Sequence, residues 1–415
     1  MIFSKPNYLH TTALASLVAI SAISFSSCDF LFGTKKDKQV AEVFEQGHID
    51  PHLYPSNIGY VPVQPYWSGF SNPVDVYVGF DQMIYVVDDH GVHILDQKGE
   101  EHRLIAINGA TDIVQDRSLR TYVCGRIAKD VTGDQIPENL PAVYVLANAS
   151  TVSGPVFLDT LIHPFCDATR NTSAFRGAPD EQVQFTGVAP LPDNRIYVSR
   201  TGPTNSLTSV ALPDNAILIF NHSGTNTGYA NGLNPVYSSL KSVLGISSIC
   251  TAVAPPQSYE TGNNDFYITQ TAANAEYKAL SIKETNDPDA GITFIENVNF
   301  LGFDLSKASR FLYESFRFTK PSDIYKSPDA LGYLFVVDAT RDSLYQFNSK
   351  GYEGVNAPAN SSDKKQVIVS FGGSGNGPFQ FNQPSGVCYY NKMVYVADKG
   401  NNRICRFKLS TDLEQ

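Results

Sequence analysis

The stretch GPFQFNQPSGVCYYNKMVYVADKGNNRICRF, from Gly377 to Phe407, decides how the whole chain is read. A Pro384-Ser385-Gly386 turn leads into three short apolar runs, each set off from the next by turn residues. β-Branched and aromatic side chains dominate the runs, which is the composition of strands rather than helices. A sheet of three short strands still has an apolar face to cover. The rest of the sequence shows what covers it.

Two landmarks in this stretch, Pro384–Cys388 and Val394–Asp398, recur upstream. Pro73–Tyr77 precedes Ile84–Asp88, and Pro321–Tyr325 precedes Leu334–Asp338. Weaker copies pair Ala110–Val114 with Thr121–Gly125, Phe185–Ala189 with Ile196–Arg200, and Ile246–Cys250 with Phe266–Gln270. A third apolar run follows several copies, as in Val92–Leu95, Ala216–Phe220, Ser343–Phe347 and Arg403–Phe407. A fourth is clearest at Val367–Phe371. Four antiparallel strands repeated six times describe an all-β fold, a six-bladed β-propeller. The copies lie roughly 37 to 75 residues apart. Loop insertions are thermodynamically cheap, so uneven spacing is compatible with the ring, and seven blades is the alternative count. Residues 142–184 and 277–319 show no further turn–strand pair, so segments 126–184 and 271–320 are expected to be insertions decorating the faces.

The last copy runs out after its third strand, and Tyr60–Trp67 stands where an outer strand belongs but has no earlier copy of its own. It is expected to pair with Arg403–Phe407 and close the ring. Pro62 and Pro65 suit an edge strand, since each lacks an N–H for the ladder.

The chain has 415 residues, a formal net charge of -10 and only 17% charged residues. No basic run exceeds the Lys35–Lys38 patch, which argues against nucleic acid as a partner. Ala13–Phe25 is apolar or small throughout, the length of a signal-peptide core and short for a membrane span. The Phe25-Ser26-Ser27-Cys28 sequence resembles a bacterial lipobox, which implies lipidation at Cys28. Residues 1–27 then form a lipoprotein signal peptide, 28–57 a tether and 58–415 the propeller. The expected location is the bacterial cell envelope, lipid-anchored, at the outer membrane and facing the periplasm or the surface. Contact with the membrane is expected through the lipid only. The other cysteines, Cys124, Cys166, Cys250, Cys388 and Cys405, are odd in number and lack C-x-x-C spacing. They read as small buried apolar residues.

With Gly375–Val387 and Tyr395–Ile404 in hand, the chain resembles the NHL-repeat family, whose hallmark is a Gly-rich loop, Pro-x-Gly-Val, Tyr-Val-x-Asp and Asn-x-Arg-Ile. The resemblance spans about residues 60 to 410 and implies a six-bladed propeller serving as a binding platform, in bacteria frequently an exported lipoprotein. The motif aspartates, here Asp88, Asp338 and Asp398, read as turn-capping residues.

Related six-bladed hydrolases hold a divalent metal on Asn, Asp or Glu just after the motif proline. Here those positions are Val74, Thr111, Thr186, Ser247, Ser322 and Ser385, and none is a carboxylate. One residue later stand Asp75, Asp112, Gly187, Ser248, Asp323 and Gly386. Asp75, Asp112 and Asp323 are candidates to line one channel mouth and bind a cation or cationic ligand; capping of the strand start is the competing reading. Related amidating lyases carry zinc on histidines, but none of the histidines here falls in the inner-strand turns. His48 and His52 lie in the tether, and His90 and His93 flank a turn without an expected point of convergence. Asp130–Gln135 loosely resembles a calcium loop but lacks Gly at the sixth position and Glu at the twelfth. The sequence therefore points to a binding platform for a protein or glycan partner, with no cofactor, no metal and no catalytic residue assigned. The competing class is a divergent propeller hydrolase or lyase.

Overall fold

Middle strands with no solvent face are what fix this architecture. Ile84–Asp88, Phe266–Gln270, Leu334–Asp338 and Met393–Asp398 are buried at every position. A strand buried on both faces reads as a continuous apolar run rather than an alternating one, and these runs read so up to their polar ends at Asp88, Thr269-Gln270, Asp338 and Asp398. Outer strands differ: Glu101–Ala106 is mostly exposed. The computed structural model describes residues 47–413 except 131–134, 163–179, 204–213, 231–244, 260–261 and 290. The signal-like segment, Cys28, Cys166 and most of the calcium-like loop lie outside these residues.

The chain enters through β1 (Tyr60–Pro62) and β2 (Trp67–Ser68). Blade one is β3 (Asp75–Val78), β4 (Ile84–Asp88), β5 (Gly91–Leu95) and β6 (Glu101–Ala106). Blade two is β7 (Asp112–Gln115), β8 (Thr121–Lys129), β9 (Glu138–Ala147) and β10 (Val156–Ile162). Blade three is β11 (Gln184–Pro190), β12 (Ile196–Thr201), β13 (Ala216–Phe220) and β14 (Asn226–Ala230). Blade four is β15 (Ile246–Thr251), β16 (Phe266–Gln270), β17 (Ala279–Asp287) and β18 (Gly291–Glu296). Blade five is β19 (Pro321–Lys326), β20 (Leu334–Asp338), β21 (Ser343–Phe347) and β22 (Phe371–Gly372). Blade six is β23 (Pro384–Tyr390), β24 (Met393–Asp398) and β25 (Arg403–Leu409), completed by β1 and β2. The count is six, not seven. The compact unit begins at Ile49.

Two expectations need correction. Much of the sequence taken as inserted loops is sheet: β9 and β10 complete blade two, and β17 and β18 complete blade four. Neither pair repeats the turn-and-strand landmark of the inner half: β10 exposes the apolar Val156–Leu158, and β18 is exposed or half-exposed over Gly291–Ile295. In blade five the outer strand is not Val367–Phe371 but the short Phe371–Gly372, while Val367 bridges to Val355.

The apolar core is divided among the clefts between blades. Separate clusters fill the spaces between blades six and one, one and two, two and three, and five and six, while a larger one runs through blades three to five. Hydrogen bonds reinforce the same clefts near the axis. The inner strands β11, β15, β19 and β23 each carry a register shift against their neighbour, at Phe185/Gly187, Ile246/Ser248, Pro321/Asp323 and Pro384/Gly386. The extra residue of such a bulge is re-aimed out of the ladder. In three of these strands it is a serine whose hydroxyl donates to a carbonyl of the following blade. Ser247 bonds Pro321 O at 2.7 Å, Ser322 bonds Pro384 O at 2.6 Å, and Ser385 bonds Pro73 O at 2.7 Å. Thr111, just before β7, bonds Phe185 O at 2.9 Å in the same way.

The ring closes as expected. β1 pairs antiparallel with β25, Tyr60 opposite Leu409 and Pro62 opposite Phe407, and Trp67 sits opposite Ile404. The guanidinium of Arg406 lies 4.4 Å from the Trp67 ring, and that of Arg403 lies 4.8 Å from Tyr66. Tyr60, Val61, Val63 and Trp67 are all buried. At about 1.5–3 kcal/mol for each large buried side chain, this latch contributes as much as the whole folding margin of a typical domain. Deleting residues 58–68 should therefore abolish the cooperative thermal transition followed by circular dichroism; an unchanged melting temperature would refute the latch.

Candidate functional site: the central funnel

Inner strands β3, β7, β11, β15, β19 and β23 line one cavity of about 100 Å³ on the propeller axis. Its walls are apolar and aromatic, with Tyr77, Phe80, Ile249, Tyr325, Tyr389 and Tyr390 prominent. Asp75, Asp112 and Asp323 stand together in it, as the sequence suggested. Their place is the floor, not the mouth. Each begins or lies near the start of its strand, and Asp75 and Asp323 are buried. The lining residues at the far strand ends, Phe80, Pro255, Pro328 and Tyr390, are the more exposed ones.

Each carboxyl holds two blades together. Asp75 Oδ2 accepts from the Ile113 N–H of blade two at 3.1 Å, and Oδ1 from Val76 N–H at 2.7 Å. Asp112 Oδ2 accepts from the Val188 N–H of blade three at 2.7 Å. Asp323 Oδ2 accepts from the Val387 N–H of blade six at 2.7 Å. Its Oδ1 accepts from Ile324 N–H at 2.8 Å and from the Ser248 hydroxyl at 2.5 Å. Strand-start capping, the competing reading of the sequence, is thus present in Asp75 and Asp323, but the bond across the cleft is common to all three. Where the equivalent residue is Gly386, blade one comes too close for a side chain: a Cβ there would meet Asp75 Cα at 2.7 Å.

Burial, and then the mutual repulsion of carboxylates sharing one space, push these acids toward their neutral forms. Burial, aided by the Asp323 charge, raises Asp75 to about 8 against backbone N–H bonds that pull the other way. Burial and the Asp75 charge raise Asp112 well above the ordinary carboxyl range, and the two carboxyls hydrogen-bond each other. Asp323 rises to about 6 through burial, restrained by Ser248, Val387 and Ile324. On the wall, burial lowers Lys326 to about 8, and its ammonium donates to Gly332 O. At neutral pH Asp75 and Asp112 therefore retain protons, able both to donate and to accept, while Asp323, at about 6, is mostly ionised.

The strand-end aspartates do what their sequence positions implied. Asp398 accepts from Asn382 N–H at 2.7 Å and from Arg403 Nε at 2.7 Å, and Asp338 from Thr319, Lys320, Thr340 and Arg341 N–H groups. Asp88 accepts from Ser71 and His90 N–H groups, both at 2.8 Å. His90 and His93, expected not to converge, do converge, and on Asp88. The β4–β5 turn holds only Asp89 and His90, so His93 on β5 folds back to Asp88, whose counterpart in blade six, Asp398, is instead paired with Arg403. Among the described residues Cys124, Cys250, Cys388 and Cys405 are unbridged, and all but Cys250 are buried.

The NHL repeat model matches residues 381–407, which are the inner three strands of blade six. No curated protein sequence matches the chain. Among solved structures the fold is similar to an auxiliary nutrient binding protein from Bacteroides thetaiotaomicron, at 12% identity and TM-score 0.47, covering 88% of this chain and 75% of that one. It is similar to a gluconolactonase from Xanthomonas campestris at 11% identity and TM-score 0.44, covering 86% and 91%. It is also similar to virginiamycin B lyase from Staphylococcus aureus at 10% identity and TM-score 0.42, covering 85% and 100%. The blade plan is that of a six-bladed β-propeller in which the last blade matches the NHL repeat.

Raised carboxyl values have a fixed sign of consequence. A buried acid that keeps its proton favours the folded state below its unfolded value, and that contribution is lost as pH rises through the folded value. For these groups the window runs from the ordinary 3.8 to about 8. Asp112→Asn keeps an acceptor for Val188 N–H but removes a titration. The melting temperature should fall from pH 5 to pH 8 in the native protein and fall less in the variant; parallel curves would show that the floor does not titrate in this range.

Proposed function

We propose that the protein is an exported, lipid-anchored propeller that holds the end of a glycan, or a hydroxylated ligand of that size, in the central funnel. The observation that carries this reading is the composition of the funnel: tyrosine and phenylalanine walls over a floor of proton-retaining carboxyls. A pocket of apolar walls with a few convergent polar groups is the usual form of a small-ligand site. Aromatic faces suit the C–H faces of a sugar ring, and a neutral carboxyl pairs with a hydroxyl in either direction. A simple cationic ligand is less well matched, since two of the three floor carboxyls, Asp75 and Asp112, keep their protons and leave Asp323 as the ionised one among them. The hydrolase reading is weakened from another side. Of the positions where related enzymes place metal ligands, Thr111, Ser247, Ser322 and Ser385 spend their hydroxyls on the next blade.

Titration calorimetry with a panel of neutral oligosaccharides tests the reading. A binder should lose about tenfold or more in affinity in Phe80→Ala or Tyr390→Ala, since one well-packed aromatic contact contributes on the order of 1–2 kcal/mol. Both residues are half-exposed at the mouth, so the variants should fold. Absence of any binder, or affinity indifferent to both substitutions, would sink the proposal. The anchor is tested separately: Cys28→Ala should release the protein from the membrane fraction, and retention there would show that something other than this cysteine holds it.

A further inference from the structure

The geometry points to a divalent transition-metal site, of the zinc type, formed by Asp88, His90 and His93 at the β4–β5 turn, outside the funnel. Asp88 Oδ2 lies 3.0 Å from His93 Nε2 and 3.3 Å from His90 Nδ1, and the three donor atoms lie within 4.8 Å of one another. Two ligands at zinc's usual 2.0–2.1 Å, set at a tetrahedral angle, stand about 3.3 Å apart. The Asp88 pairs therefore have the spacing of edges of a coordination tetrahedron.

His93 supplies the independent observation. Its ring is buried, with a relative exposure of 5%, and Nε2 has no hydrogen-bond partner although the Asp88 oxygen is close by. The other ring nitrogen, Nδ1, lies 2.6 Å from Glu101 Oε2. If Nδ1–H donates to Glu101, Nε2 turns a lone pair toward an acceptor 3.0 Å away. Two acceptors at that distance require a cation between them. A proton is poorly placed there, since the atoms do not meet hydrogen-bonding geometry; a metal bound to both is well placed. A carboxylate holding the far nitrogen is also the arrangement that orients metal-bound histidines and raises their basicity. The remaining polar contacts fit this role. Asp88 keeps Oδ2 oriented through the Ser71 N–H and Oδ1 through the His90 N–H, and Phe70 packs edge-on to the His93 ring at 5.3 Å.

The donor set of two imidazoles and one carboxylate suits Zn²⁺ and its neighbours over Ca²⁺ or Mg²⁺, which prefer oxygen throughout. Three protein ligands leave a position for water, and the exposed His90 ring puts that position at the surface. Bound there, the ion ties the β4–β5 turn to the Phe70–Ser71 connection that leads from the latch into blade one.

The test uses the full chain in detergent, stripped with chelator and titrated with ZnCl₂ alone. One equivalent should bind, and Co²⁺ in its place should give the visible absorption of a four-coordinate site. His90→Ala changes an exposed side chain, so its melting temperature without metal should equal that of the native protein, while its zinc affinity falls about tenfold or more. His102→Ala, at an exposed neighbouring ion pair with Asp96, should bind zinc like the native protein. No stoichiometric binding, or zinc affinity equal in the native and His90→Ala proteins, would overturn the site. Loss of affinity in His102→Ala with none in His90→Ala would place the ion elsewhere and overturn it equally. Sugar binding in the funnel is read independently of all these outcomes.

Discussion

Everything in this molecule depends on how closely six inner strands can approach one axis, and a hydroxyl-to-carbonyl bond spans four of the six clefts there. A bulge lifts one residue out of the ladder at the start of the inner strand, and a serine there reaches the neighbouring blade. The next residue is a carboxyl that accepts an amide bond across the seam at Asp75, Asp112 and Asp323, a serine that donates to Asp323 at Ser248, or a glycine at Gly187 and Gly386. Satisfying polar backbone across the clefts leaves their outer parts free to be purely apolar, which is where the core clusters lie. The funnel floor is therefore a by-product of blade stitching: carboxyls placed to accept amide bonds are buried around one axis, and burial, with mutual repulsion second, keeps Asp75 and Asp112 protonated.

The inner half of each blade was legible in the sequence and the outer half was not. Runs such as Tyr85–Val87 and Phe335–Val337 have to be apolar on both faces, so they stand out in any context. Outer strands such as β10 lack the turn landmark and carry apolar side chains at exposed positions, so their pattern does not separate inside from outside. The latch was legible because Tyr60–Trp67 has strand chemistry and no copy of its own to belong to. The three aspartates were found by aligning copies, but their roles needed the bonds between blades. Four seams had left a trace, a hydroxyl at Thr111, Ser247, Ser322 and Ser385, which reads as a mere lack of carboxylates until its partners are seen; the Thr186 hydroxyl pairs within its own blade, with Ser199.

The cluster around Asp88 was illegible for a different reason. In blade six a longer connection brings Arg403 to Asp398. In blade one the turn is two residues shorter, no arginine stands at that place, and a histidine two positions along β5 takes over. Spacing of three between His90 and His93 means little on a strand; spacing around a tight turn brings both rings to the same carboxylate. Glu101, on the neighbouring strand β6, could be assigned to His93 only once the pairing of β5 with β6 was known.

The composite sixth blade also sets an order of events. Tyr60 is made early and Leu409 among the last residues, yet they are direct partners. Until the C-terminal strand arrives, the first blade has an uncovered flank and β1 has no ladder to join. Such long-range pairing forms late, because the entropy of closing the loop must be met before the contacts reward it. A chain emerging N-terminus first thus carries its own closing strand outside, waiting, while the rest follows. Termination before Arg403 yields an arc with two open edges rather than a smaller ring.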